Sequence, residues 1–209
     1  MLKIESFTLG PLDTNCYLVW DEEDNNHPAW IIDPADAGDF LSEQVLHHQL
    51  DLQAIILTHG HIDHLMGGAE VALNFDVPTF VHEKDQFLVD RSVESAKHWF
   101  DLEILPPPPT RSFESSSITL GSHKFSIIPT PGHTPGSVTL YCDDSNSEIE
   151  TPIAFVGDVV FAQGYGRTDF SYASTQTLFK SIEKLGETLS PRTSVLSGHG
   201  EPFTWDGRL

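Results

Sequence analysis

The sequence is poor in positive charge: 11 lysines and arginines stand against 31 acidic residues, giving a formal net charge of -20 over 209 residues. Such a surface repels phosphate polymers and anionic headgroups, so nucleic acid is disfavoured as a partner except where bound cations reverse the field locally. No apolar run approaches the length of a membrane span, and residues 1–9 alternate apolar and polar positions instead of forming the apolar core of a signal peptide. No membrane association is expected, and a reducing cytoplasm is the expected compartment. Cysteine is also scarce. Cys16 and Cys142 each lie inside an apolar run, 15–20 and 138–142, where a thiol packs as a small buried hydrophobe, so no disulfide framework is expected. A chain of 209 residues buries a core without such staples, and a single domain over 1–209 is expected.

What is present is an alternation of short β-rich runs and helical stretches. Strands are expected over 2–9, 14–20, 29–32, 54–57 and 78–81, with helices over 39–50, 65–75 and 83–100. Four consecutive prolines, Pro106, Pro107, Pro108 and Pro109, mark a crossing. Beyond them strands are expected over 117–120, 124–128, 137–141, 153–156 and 193–196, a helix over 175–185, and an acidic hairpin loop over 142–151. Two halves of similar style meeting near 106–110 imply an α/β architecture of two layered units sharing one core.

The chemistry begins where the run 54–57 ends. Four apolar residues are too few for a helix and suit a strand covered on both faces. Thr58-His59-Gly60-His61-Ile62-Asp63-His64 follows at once and places four candidate ligands within six residues. Residues two apart in an extended segment point the same way, and the turn into the next helix brings Asp63 and His64 round to a second point. One tetrahedral ion does not easily accept all four, so the spacing points to two adjacent metals, and imidazole with carboxylate suits zinc or a similar first-row ion. A chance cluster of surface histidines is the plainer alternative, but such clusters seldom include an acid and seldom follow an apolar strand.

Neighbouring strand ends converge at one edge of a sheet, so further ligands should sit at other strand ends. His133 stands in Pro129-Thr130-Pro131-Gly132-His133-Thr134-Pro135-Gly136, a turn stiffened by proline and opened by glycine. Asp158 leaves a strand in Phe155-Val156-Gly157-Asp158, where a carboxylate can bridge two metals. His199 does so in Ser197-Gly198-His199-Gly200. Alone, each suits a capping or satisfied polar role as well as a ligand role; their shared placement raises the ligand reading for all three. His27, His47, His48, His82, His98 and His123 lie on expected helices, at strand starts or in polar loops and are given no role.

Together these residues resemble the metallo-β-lactamase superfamily, marked by His-x-His-x-Asp-His followed by a separate His, Asp and His in that order. The resemblance runs over nearly the whole chain, through Asn15-Cys16-Tyr17-Leu18-Val19, Asp33-Pro34 and the Pro-Gly-His-Thr-Pro-Gly turn. Within the superfamily the chain is most similar to the glyoxalase II group, the hydroxyacylglutathione hydrolases, in their short bacterial form. Gly166-Arg167-Thr168-Asp169-Phe170 and Gly198-His199-Gly200-Glu201-Pro202 carry that finer likeness. The resemblance implies a four-layered αβ/βα sandwich with two divalent metals, zinc foremost and iron or manganese as alternatives, at the edge between its two sheets. It implies His59, His61 and His133 on the first ion, Asp63, His64 and His199 on the second, and Asp158 bridging them. Longer members continue into a helical C-terminal domain that holds glutathione, and with the sequence ending at Leu209 that domain is expected to be absent. Arg167 and Tyr165 are the expected substrate contacts; pairing of Arg167 with Asp169 to shape the loop is the alternative for the first, and Tyr165 is expected to narrow the pocket mouth.

A hydroxide held between two cations is available near neutral pH, because metal binding lowers the pKa of water from about 15.7 to about 7. Asp63 is expected to orient it as well as to ligate, and a leaving thiol of pKa about 8.5 needs no general acid. Hydrolysis of a small-molecule thioester is the activity that the resemblance implies. The alternatives are a persulfide dioxygenase with mononuclear iron, another superfamily hydrolase acting on lactones, β-lactams or nucleic acid, and a non-enzymatic metal-binding protein, whose site would normally close on four ligands and one ion.

Overall fold

The computed structural model describes residues 1–143 and 151–207, so most of the loop expected over 142–151 lies outside the described residues. The first sheet takes its six strands in chain order: β1 (Leu2–Leu9), β2 (Thr14–Asp21), β3 (Pro28–Ile32), β4 (Asp51–Ile56), β5 (Thr79–Phe80) and β6 (Thr110–Arg111). The helices α1 (Gly38–His47), α2 (Gly68–Phe75), α3 (Gln86–Asp90) and α4 (Ser92–Phe100) fall between its later strands, which pair in parallel. Next come β7 (Ser117–Leu120), β8 (His123–Pro129), β9 (Val138–Cys142) and β10 (Ile153–Gly157), then a small ribbon of β11 (Val160–Phe161) and β12 (Gly164–Tyr165). Helix α5 (Thr175–Thr188), β13 (Ser194–Ser197) and β14 (Phe203–Thr204) complete the chain, and the second sheet runs in the order β14-β13-β10-β9-β8-β7.

Side-chain alternation explains the layering. All of β2 is buried, but its residues are dealt to opposite faces: Cys16, Leu18 and Trp20 join a cluster with Leu41 and Val45 of α1 and Val71 of α2, whereas Tyr17 and Val19 join Phe125, Leu140 and Phe155 of the second sheet. On the far side of the second sheet Tyr141, Ala154, Val156 and Val195 meet Leu178, Ile182 and Leu185 of α5. Three apolar clusters separate four layers, the αβ/βα sandwich. Among the described residues no helix is long and apolar enough to cross a membrane.

Several boundaries differ from the periodic pattern. Helix α1 stops at His47, not at 50, because Gln49 turns left-handed (φ 55°) and the Leu50 amide reaches back to the Val45 carbonyl at 3.0 Å, a C-terminal turn that leaves Leu50 at a helical spacing without being helical. The helix expected over 83–100 is a single turn at Glu83–Asp85 followed by α3 and α4, with Arg91 (φ -97°, ψ 6°) between them and its amide bonded three residues back, to Leu88. The changeover between sheets falls between Arg111 and Ser117, just after the prolines, because β6 still belongs to the first sheet. Strands β6, β11, β12 and β14 have two residues each, too short to show a period.

Candidate metal centre

Strands β3 and β4 end side by side, and each delivers polar groups to the edge between the sheets. Asp33 follows β3 in a left-handed conformation (φ 51°), and its carboxylate accepts the Thr58 amide at 2.7 Å, the Thr58 hydroxyl at 2.6 Å and His64 Nδ1 at 3.0 Å. A non-glycine residue in that conformation is retained because three buried hydrogen bonds over-determine it. The Thr58 oxygen in turn lies 3.1 Å from His59 Nδ1. Since that hydroxyl donates to Asp33, it accepts from His59, which puts the ring proton on Nδ1 and turns a bare Nε2 inward.

The same logic fixes two further rings. His133 Nδ1 donates to the Arg167 carbonyl (2.8 Å), and His199 Nδ1 donates to the Leu12 carbonyl (3.1 Å), so both direct Nε2 toward the centre. His61 is reversed: its Nε2 faces the Tyr172 hydroxyl at 2.8 Å and its Nδ1 points in. Its Nδ1 lies 3.2 Å from His59 Nε2 and 2.9 Å from His133 Nε2. A tetrahedral ion with bonds of about 2.05 Å to nitrogen sets its ligands about 3.3 Å apart, close to this spacing.

A second group stands beside the first. His199 Nε2 is 3.3 Å from Asp63 Oδ2, and His64 Nε2 is 3.5 Å from the same oxygen. Asp158 faces both groups, with Oδ2 at 3.5 Å from His133 Nε2 and 3.6 Å from His199 Nε2, and Oδ1 at 3.5 Å from His64 Nε2. Gly157 (φ 52°) and Gly198 make this approach possible, since a Cβ on the first would strike the Thr58 hydroxyl and a Cβ on the second the Asp158 carboxylate. All of the ligand candidates from the sequence are thus brought together.

The centre fits divalent cations. Buried His64 Nε2 and Asp158 Oδ1 have no hydrogen-bond partner among the described residues, and Nε2 of His59, Nε2 of His133 and Nδ1 of His61 turn bare lone pairs toward one another. Burial holds His59 well below its usual range and lowers His61 to about 3, helped by neighbouring rings, so both are neutral and free to ligate. At His64 burial opposes charge, yet Asp63, Asp33 and Asp158 outweigh it and raise the ring to about 10. The carboxylates that keep a proton there would equally favour a metal ion. The His59, His61, His133 group and the Asp63, His64, His199 group each gather ligand atoms within 4.8 Å of one another.

Several residues of the site escaped the sequence reading as functional groups. Asp33 was visible only as part of the family likeness, although it ends an apolar strand just as Asp158 does. Asp85 gave no signal: it lies in a short turn, is fully buried, and accepts the amides of Gly60 (3.0 Å) and Gly136 (2.6 Å) and the Thr134 hydroxyl (2.6 Å). It ties the turn bearing His59 and His61 to the turn bearing His133. Thr14, whose hydroxyl donates to Asp63 Oδ2 at 3.1 Å, and Tyr172 were likewise unmarked. Of the expected substrate contacts, Arg167 forms a bidentate pair with Asp169, both contacts at 2.7 Å, and lies 4.5 Å over the Phe170 ring. Tyr165 packs edge-on against Phe179 of α5 at 5.0 Å and does not line the chamber beside the centre.

Comparison with known proteins agrees with this geometry. The model of the metallo-beta-lactamase superfamily matches residues 9–199. Hydroxyacylglutathione hydrolase GloC of Haemophilus influenzae is 34% identical over 206 residues, 97% of this chain and 93% of that protein. Two solved structures align almost end to end: BLEG-1 B3 metallo-beta-lactamase (TM-score 0.83, 32% identity, 98% of this chain and 94% of the other) and TTHA1623 in a di-iron-bound form (TM-score 0.82, 34% identity, 96% and 94%). With a family match over most of its length and a relative above 30% identity along nearly all of it, the chain belongs to the metallo-beta-lactamase superfamily.

Proposed function

We propose that the chain hydrolyses small-molecule thioesters of the hydroxyacylglutathione type at a centre of two divalent cations. His59, His61 and His133 hold one, Asp63, His64 and His199 the other, and Asp158 stands between them. Hydrolysis and divalent-metal binding belong to the superfamily; the thioester, the pairing of ions and their identity are the finer reading. The observation that carries it is the Asp158 carboxylate, which faces both ligand groups at 3.5–3.6 Å with Oδ1 unpartnered. The name of the 34% identical Haemophilus relative supports the substrate class. Imidazole with carboxylate suits zinc, and the di-iron form of the 34% identical structure keeps iron in view.

Bound cations would supply water of pKa near 7 and polarise a carbonyl oxygen. The chain's own groups do the positioning. Asp63 Oδ2 accepts from the Thr14 hydroxyl and lies 3.3 Å from His199 Nε2 in the second ligand group, which leaves Oδ1 to orient a water. With Nδ1 of His61 turned to the centre, its ring proton sits on Nε2 and is donated to the Tyr172 oxygen, so the Tyr172 O–H is free to point at substrate. A leaving thiol of pKa about 8.5 departs without a general acid.

The test is metal analysis of the purified protein alongside hydrolysis of lactoylglutathione, a lactone and a β-lactam. Close to two ions per chain with thioester turnover is expected. Full activity with a single ion, and with Asp63→Ala or His199→Ala still active, would reject the binuclear reading. Turnover of the β-lactam alone would favour the second reading, which the 32% identical B3 lactamase supports.

A further inference from the structure

Beside His61 and Asp63 opens a chamber of about 340 Å³, roughly the room of eleven waters at about 30 Å³ each. A small hydroxyacyl group such as lactoyl fills only a fraction of it. Its wall is largely carbon: Leu12, Ile62 and Phe170, with Leu88 of α3 and Trp99 and Phe100 of α4. The polar residues lining it beyond the centre itself are Ser95, Tyr172 and Arg167. Among the described residues Arg167 is the only lysine or arginine that lines it, and its charge is paired with Asp169, to which Nε and Nη2 donate at 2.7 Å. Among the described residues the chamber therefore presents no lysine or arginine without an acidic partner to an anionic substrate, in a chain whose net charge is -20.

We infer that the chamber is the specificity site of the hydrolase and receives an uncharged, apolar acyl group, aromatic or branched and larger than lactoyl. This rests on the thioester reading above only in that the chamber opens on the same centre. The acyl side is assigned to it because a thiol carrier is polar and needs water, whereas the chamber is apolar; the carrier then points to solvent. Burial of hydrocarbon against Trp99, Phe100 and Phe170 rewards such a group, and a carboxylate carried into the same place loses hydration without meeting an unpaired lysine or arginine. Remote binding of this kind orients the carbonyl over the centre and so raises kcat/KM.

The test uses metal-loaded protein and thioesters of one uncharged thiol, N-acetylcysteamine, bearing lactoyl, phenylacetyl or 4-carboxyphenylacetyl groups. Phenylacetyl is expected to exceed lactoyl in kcat/KM by about tenfold or more, and the 4-carboxy compound to fall back by at least about tenfold. Trp99→Ala, at a side chain exposed enough to leave folding intact, should lower the phenylacetyl-to-lactoyl ratio by about tenfold. A second measurement needs no turnover: phenylacetamide should bind and quench tryptophan fluorescence, the quench should vanish in Trp99→Ala, and 4-carboxyphenylacetamide should bind at least about tenfold more weakly. If phenylacetamide fails to bind, or the carboxylate binds as well, the chamber assignment falls even if thioesters are hydrolysed. If phenylacetamide binds as stated and no thioester is turned over, the thioester reading falls and the apolar site stands.

Discussion

The two sides of the cleft are built in different ways. On the side of the centre, rings and carboxylates are buried and almost every outward-facing ring nitrogen has an acceptor: Asp33 behind His64, Thr58 behind His59, the Arg167 carbonyl behind His133 and the Leu12 carbonyl behind His199. On the chamber side the wall is carbon and half open, with Trp99 63% and Leu12 50% exposed. Directional bonds between buried polar groups fix atoms in place, since a lost partner leaves a desolvated group costing about 1–3 kcal/mol. Apolar walls can repack. One side is therefore organised for chemistry and the other for choosing substrates, and substitutions should separate the two.

The largest effect is expected at the centre. Asp158→Ala removes the carboxylate that faces both ligand groups, and activity should fall by more than the ~10–100-fold typical of residues standing behind ligands. Metal analysis should show loss from both sites. A variant that keeps both ions and most of its rate would mean that Asp158 only caps the turn after β10.

Next comes Asp33→Ala, which frees the His64 ring and leaves the Thr58 amide and hydroxyl without their acceptor. Metal affinity should drop by about 10–100-fold, read by competition with a chelator. Asp85→Asn should act more locally. It weakens the clamp between the turns of His59, His61 and His133, so about tenfold lower affinity is expected at one site and little change at the other. Equal loss at both sites would show that Asp85 supports the fold as a whole and not one ligand group.

The same contrast explains what could be read from the sequence. The turn Thr58 to His64 was legible because its donors are contiguous and follow an apolar strand, and His133, Asp158 and His199 were legible because each ends a strand beside glycine. Asp33 also ends an apolar strand, with Pro34 and not glycine beside it, and could have been found by that half of the rule. Asp85 could not, since its partners Gly60, Thr134 and Gly136 are distant in sequence and two of the contacts are to backbone amides. The sheets were legible wherever strands were long enough to alternate. The chamber was not, because its wall depends on how the segment 83–100 breaks at Arg91 and on tertiary packing of residues as far apart as Leu12 and Phe170.

The smallest effect is expected from Arg167→Ala, although Arg167 stands in a motif near the site and lines the chamber. Its side chain is 61% exposed and that of Asp169 66%, so the pair is bathed in solvent and screened by salt. What His133 uses is the Arg167 backbone carbonyl, which the substitution keeps. Metal content should therefore stay unchanged, and kcat/KM for a neutral thioester should move by no more than about fivefold, the range of an exposed ion pair with its stacking on Phe170. Lactoylglutathione should respond by the same small factor, because the charge of Arg167 is already paired with Asp169 through Nε and Nη2. A loss above about tenfold confined to the glutathione thioester would mean that Asp169 yields its partner to a substrate carboxylate, and the chamber side would then select by charge as well as by apolar contact.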